Sequence, residues 1–164
     1  MQDKGRISWD ELWMETAALV GRRSLCSRAQ YGAVIVSKDN RILSVGYNGA
    51  PAGESHDTSC VSWCARAIAA KSLGDAGVDA NYNDCHAVHA EMNAILRADN
   101  LWREKEPTLY VNGVTCLRCA LTIANAGVKC VVMRVSEYEQ KRNPTATREM
   151  LEKYGVKVRV KAWE

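Results

Sequence analysis

Between residues 108 and 160, short β-rich runs alternate with helical segments, and this alternation restricts the possible folds more than any other feature of the chain. Thr108-Leu-Tyr-Val111 reads as a strand, 116–126 as a helix, 128–135 as a strand and 145–154 as a helix. The alternating Val156-Lys-Val-Arg-Val160 closes the series as a half-buried strand. A helix between two strands carries the chain back over the sheet, so these strands are expected to be parallel, with helices covering them. Gly127 marks the end of the first of these helices.

Upstream the pattern changes. Ser8-Trp-Asp-Glu11 reads as a capping box opening a helix that ends near Gly21. Ala33-Val-Ile-Val-Ser37 and Ile42-Leu-Ser-Val45, separated by the polar Lys38-Asp-Asn-Arg41, read as a hairpin. Gly46-Tyr-Asn-Gly-Ala-Pro-Ala-Gly53 suits an irregular loop whose backbone can approach a ligand closely. Residues 58–72 are read as a helix through Trp63, Ala67 and Ile68, 74–84 as a polar inserted stretch, and 89–98 as a further helix. With 164 residues, 47% of them hydrophobic, one core is sufficient. The expected fold class is α/β: one three-layer α/β/α domain over residues 1–164, with a mixed sheet of about five strands and an insertion around 54–86.

The balance of 22 basic against 19 acidic residues gives a formal charge of only +3, without a basic block, so nucleic acid is not an expected partner. No apolar run is long enough to span a membrane and the N-terminus lacks a secretory pattern, which predicts a cytoplasmic protein with no membrane association. Seven cysteines, at 26, 60, 64, 85, 116, 119 and 130, form an odd set without an export signal, and point to metal binding rather than disulfides. Cys130, in an apolar run, fits a small buried hydrophobe instead.

His89-Ala-Glu91 opens one predicted helix and Cys116-Leu-Arg-Cys119 the next, giving one imidazole and two sulfurs near helix N-termini. Cysteines three apart share one side of a helical turn, and the N-terminal dipole favours their thiolates. His89, Cys116 and Cys119 thus make a three-ligand zinc set, and three protein ligands leave one tetrahedral position open, which is the catalytic arrangement. Glu91 fits a proton shuttle beside that position, as in the His-x-Glu and Cys-x-x-Cys signature of zinc nucleobase deaminases. A structural zinc knuckle or a pair of buried cysteines is the competing reading of the same residues.

With His89-Ala-Glu-Met-Asn-Ala-Ile95, Gly46-Tyr-Asn-Gly-x-Pro51, Gly32-Ala-Val-Ile-Val36 and the Cys116/Cys119 pair, the chain resembles the deoxycytidylate (dCMP) deaminase family of the cytidine deaminase superfamily, from about Arg6 to about Val160. The resemblance implies a cytidine-deaminase-like fold and zinc-dependent hydrolysis of dCMP to dUMP and ammonia, feeding dTMP synthesis, with Glu91 as the catalytic residue. It also implies Asn48 at the sugar or base, Arg28 as a candidate for the 5′-phosphate and Tyr138 as a candidate lining the base pocket. A second zinc near the substrate loop, drawn from Cys26, Cys60, Cys64, Cys85, His86 and His56, control by dCTP and dTTP, and a homo-oligomer, specifically a hexamer, belong to the same implication. The chain departs from the family at Thr115, where a proline usually precedes the first zinc cysteine. Thr115 is expected to act instead as the N-cap of the cysteine helix, and its hydroxyl leaves 5-substituted dCMP, dCTP or an adenine nucleotide open as substrates. An inactive zinc-containing binding module is the alternative from another class, and Glu91 argues against it.

Overall fold

The computed structural model describes residues 5–54, 85–99, 102–135 and 144–162. Helix α1 (Trp9–Gly21) opens as the sequence predicts: Glu11 N–H donates to the Ser8 hydroxyl at 3.2 Å, and Ser8 N–H to the Glu11 carboxylate at 2.7 Å. It leads to β1 (Gly32–Val36) and β2 (Ile42–Tyr47), then to α2 (Ala90–Arg97), a 3-10 turn (Trp102–Lys105) and β3 (Thr108–Val111). The chain continues with α3 (Leu117–Ala126), β4 (Cys130–Val135), α4 (Pro144–Lys153) and β5 (Lys157–Ala162). The predicted helix at 58–72, the inserted stretch at 74–84 and Tyr138 lie outside the described residues.

The five strands form one mixed sheet in the order β2-β1-β3-β4-β5. β1 is antiparallel to both β2 and β3, whereas β3, β4 and β5 run parallel. Helix α1 covers one face, where Trp13, Met14 and Ala17 pack on Val34, Val36, Tyr110 and Val132. On the other face Ala90 and Ala94 of α2, Ala120 and Ile123 of α3, and Leu151 of α4 pack on Ile35, Leu109, Val111 and Val131. Because both faces are covered, every residue of β1 is buried and its Gly-Ala-Val-Ile-Val sequence shows no polar alternation. This is the expected α/β/α layering.

Two glycines set how closely the layers meet. A Cβ at Gly32 would lie 1.9 Å from the Ala17 carbonyl oxygen of α1, and one at Gly46 would lie 2.3 Å from both the Ala90 oxygen and the Ala94 nitrogen of α2. Helix α2 is held on β2 further by Ser44 Oγ donating to the Ala94 oxygen (2.7 Å) and Asn93 Nδ2 donating to the Tyr47 oxygen (2.8 Å). Immediately before α2, Gly49 and Val88 form an antiparallel bridge, with N–H to O distances of 3.1 and 2.9 Å.

Several boundaries differ from the sequence expectation. β4 starts at Cys130 rather than 128, because Val128 N–H bonds back to the Ile123 oxygen in the turn that ends α3, with Gly127 left-handed at φ 89°. Helix α4 begins at Pro144, a residue suited to the first helical position. The 3-10 turn was not anticipated; it buries Trp102 in the core. No helix among the described residues is long and apolar enough to cross a membrane.

Candidate metal centre and active site

The two ligand-bearing segments meet because α2 and α3 start side by side on one face of the sheet. His89 is the N-cap of α2 and Cys116 the N-cap of α3, both with extended backbone. The expectation that Thr115 caps α3 is therefore corrected: the Cys116 sulfur occupies that role, accepting from Cys119 N–H at 3.5 Å. Starting the helix at Leu117 places both sulfurs toward His89, whose Nδ1 lies 3.5 Å from Cys116 Sγ and 3.3 Å from Cys119 Sγ.

These three ligand atoms lie within 4.8 Å of one another. A tetrahedral zinc about 2.3 Å from sulfur and about 2.0 Å from nitrogen separates such ligands by roughly 3.6 Å, so the donors stand nearly where zinc requires them. The electrostatics match a cation site. The hydrogen bond between the Cys119 thiol and the Cys116 sulfur is the main force holding the Cys116 thiol down to about 3, with His89 adding to it against the effect of burial. The same bond, then burial, raises Cys119, and the bond to Cys116 raises His89. Two sulfurs and an imidazole so close compete for one proton inventory, a conflict that a divalent cation removes by taking both sulfurs as thiolates.

Glu91, on the first turn of α2, is 4% exposed. Burial raises its carboxyl above the ordinary carboxylate range; the charge of His89 and the Thr115 hydroxyl work in the opposite direction. Such a group is suited to take and release a proton. Thr115 is itself fully buried; its hydroxyl is close enough to Glu91 to favour the charged carboxylate, yet Oγ1 has no hydrogen-bond partner of ordinary geometry among the described residues. The Thr115 carbonyl oxygen, in contrast, is fixed by the Thr147 hydroxyl of α4 at 2.8 Å. A threonine one residue before a metal ligand was visible in the sequence, but its orphaned hydroxyl was not.

Asn48 is buried, and its side chain ties loops together: Oδ1 accepts from Tyr31 N–H (2.8 Å) and Nδ2 donates to the Ala29 oxygen (3.0 Å). It thereby fixes the segment that follows Arg28, whose side chain is exposed. Asn112, which the sequence reading did not single out, acts similarly from the end of β3, accepting from Gly32 N–H at 2.8 Å and donating to the Gln30 oxygen at 3.2 Å. The candidate second metal set does not assemble among the described residues: Cys26 and Cys85 are half-buried and His86 is exposed, and only His89, Cys116 and Cys119 form a group of three potential ligands. Cys60, Cys64 and His56 lie outside the described residues. Cys130, half-buried, packs against the α1-side core as a hydrophobe.

The comparisons with known proteins agree with this geometry. Residues 7–135 match the family profile described as the cytidine and deoxycytidylate deaminase zinc-binding region. The chain is 40% identical over 129 residues to the deoxycytidylate deaminase of Mycobacterium phage D29, covering 77% of this chain and 94% of that one. It is 35% identical to the deoxycytidylate deaminase of Homo sapiens, covering 93% of this chain and 79% of that protein. Among solved structures, the dCMP deaminase of cyanophage S-TIM5 in complex with dCMP and dUMP aligns with a TM-score of 0.64 at 30% identity, covering 92% of this chain and 95% of that chain. The chain belongs to the cytidine and deoxycytidylate deaminase family.

Proposed function

We infer that this chain is a zinc-dependent dCMP deaminase that hydrolyses dCMP to dUMP and ammonia. The observation that carries the inference is the convergence of His89 Nδ1 with both cysteine sulfurs, two residues before a buried Glu91. Relatives from a phage and from human carry the name deoxycytidylate deaminase, and the S-TIM5 structure holds both dCMP and dUMP.

Zinc held by His89, Cys116 and Cys119 supplies a Lewis acid that lowers the pKa of water toward neutrality. The remaining chemistry falls to the chain. Glu91 takes a proton from the attacking water and delivers it to cytosine N3 as oxygen bonds to C4; it then carries the remaining water proton to the C4 amino group, which leaves as ammonia. Water and dCMP are thus consumed in equal number, and no redox partner is needed. Burial of Glu91 favours this shuttle, because a carboxyl raised toward neutrality gives up and regains its proton readily.

Arg28 is assigned to the 5′-phosphate, for which its guanidinium offers paired donors, with Asn48 holding the adjoining backbone and lying close to the sugar or base. Tyr138 remains assigned to the base pocket. The proposal extends to one deaminase domain, a cytoplasmic homo-oligomer regulated by dCTP and dTTP, and a product that feeds dTMP synthesis. The test is ammonia release from dCMP, 5-substituted dCMP, dCTP, deoxycytidine, dAMP and single-stranded DNA, with zinc measured on the same sample. Preference for dCMP supports the assignment. Preference for another nucleotide moves the substrate while keeping the chemistry, and zinc without any ammonia release overturns it.

A further inference from the structure

We propose that Thr115 is a positioning residue for Glu91, its buried hydroxyl donating to one carboxylate oxygen so that the other is presented to substrate. This rests on the deaminase reading of the site. The hydroxyl belongs to a fully buried residue, lies close enough to Glu91 to favour its charged form, and has no hydrogen-bond partner of ordinary geometry among the described residues. Its freedom to move is limited on both sides. Thr147 Oγ1 holds the Thr115 carbonyl at 2.8 Å, and Cys116 is committed both as a metal ligand and as the cap of α3. The hydroxyl therefore cannot turn to solvent, and the Glu91 carboxylate is the acceptor it can reach. A proline at this position has no donor to offer, so the device belongs to the threonine. A buried carboxylate with one oxygen anchored keeps a single orientation, which favours transfer along one line between water and ring.

Two variants and two readouts test the assignment, using zinc-loaded protein of verified metal content. Thr115→Val keeps the shape and removes the hydroxyl; Thr115→Ser keeps the hydroxyl. For dCMP, kcat is expected to fall roughly ten- to hundredfold in the Val variant with KM within about twofold, and to recover in the Ser variant to within a few fold of wild type. Unfolding gives a readout independent of turnover. Thr115→Val is expected to lower the thermal midpoint when Glu91 is present and to leave it unchanged or raise it in a Glu91→Ala background, where the hydroxyl has lost its acceptor. The inference is overturned if Thr115→Val keeps wild-type kcat, if Thr115→Ser fails to rescue, if KM rises in step with the loss, or if the two midpoint shifts are the same in both backgrounds. Absence of dCMP turnover in the wild-type protein instead counts against the deaminase reading, and the unfolding pair still decides the Thr115 contact.

Discussion

Replacing Gly46 with alanine should damage the site without touching a catalytic group. The added Cβ would stand 2.3 Å from the Ala90 oxygen and the Ala94 nitrogen, and 2.9 Å from the Asn93 carbonyl carbon. All three are backbone atoms of α2, so no side chain can swing aside; the helix itself must retreat from β2 by about 1 Å to restore ordinary contact. That retreat stretches the Ser44 to Ala94 bond at 2.7 Å and the Asn93 to Tyr47 bond at 2.8 Å. Overpacking of this kind costs about 3 kcal/mol at its upper range, equivalent to a thermal midpoint roughly 6–12 °C lower in a chain of this size. Because α2 carries His89 and Glu91, a displacement of about 1 Å should also reduce turnover on the order of a hundredfold and weaken zinc retention. The assay is thermal unfolding with zinc titration of Gly46→Ala beside Gly49→Ala, whose Cβ would meet nothing nearer than the Tyr47 ring at 3.7 Å. If Gly46→Ala melts and holds zinc like Gly49→Ala, α2 is not seated as described and the reasoning fails.

Glu91→Gln should keep stoichiometric zinc, since Glu91 lies outside the ligand set, while turnover of dCMP drops about 10²- to 10⁴-fold; near-normal turnover would remove it from the mechanism. Cys119→Ser should lose zinc during dialysis against a mild chelator that leaves the wild type loaded, as followed by metal analysis. Asp10 provides a pH test. Burial raises its pKa, but the Tyr110 hydrogen bond (2.7 Å) and the charges of Arg159 (2.6 Å) and Lys161 (3.3 Å) outweigh burial and lower it below the reference 3.8. A carboxylate lowered on folding stabilises above its unfolded pKa, and that stability is lost as pH falls through the lower folded value. Asp10→Asn should therefore unfold about 1–2 kcal/mol more easily at pH 7, with the gap closing as pH falls below the reference 3.8 and through the lower folded value, as measured by urea unfolding.

Local chemistry was the legible part of this chain. Ser8 and Glu11 define their helix start within four residues, and the capping pair appears where expected. His89, Cys116 and Cys119 were legible because few residue types bind zinc and because each stands where a helix begins. What stayed hidden depends on contacts between distant segments. Thr115 is the better cap by hydroxyl chemistry, yet the helix starts one residue later, where Cys116 serves both as cap and as a member of the sulfur pair facing His89. Asn48 reads as a ligand-loop residue, and its bonds to backbone groups at 29 and 31, far away in sequence, were not readable from that loop. Val128 looked like the first residue of a strand because it is apolar; its backbone instead closes the end of α3 while its side chain enters the core.

The Gly49–Val88 bridge gathers the chain just before His89. With both partners joined by a reciprocal pair of hydrogen bonds, the entry into α2 is defined from outside residues 50–87. The register of His89 is therefore kept at the stem by two main-chain bonds, which any residue but proline can supply at 49 and 88.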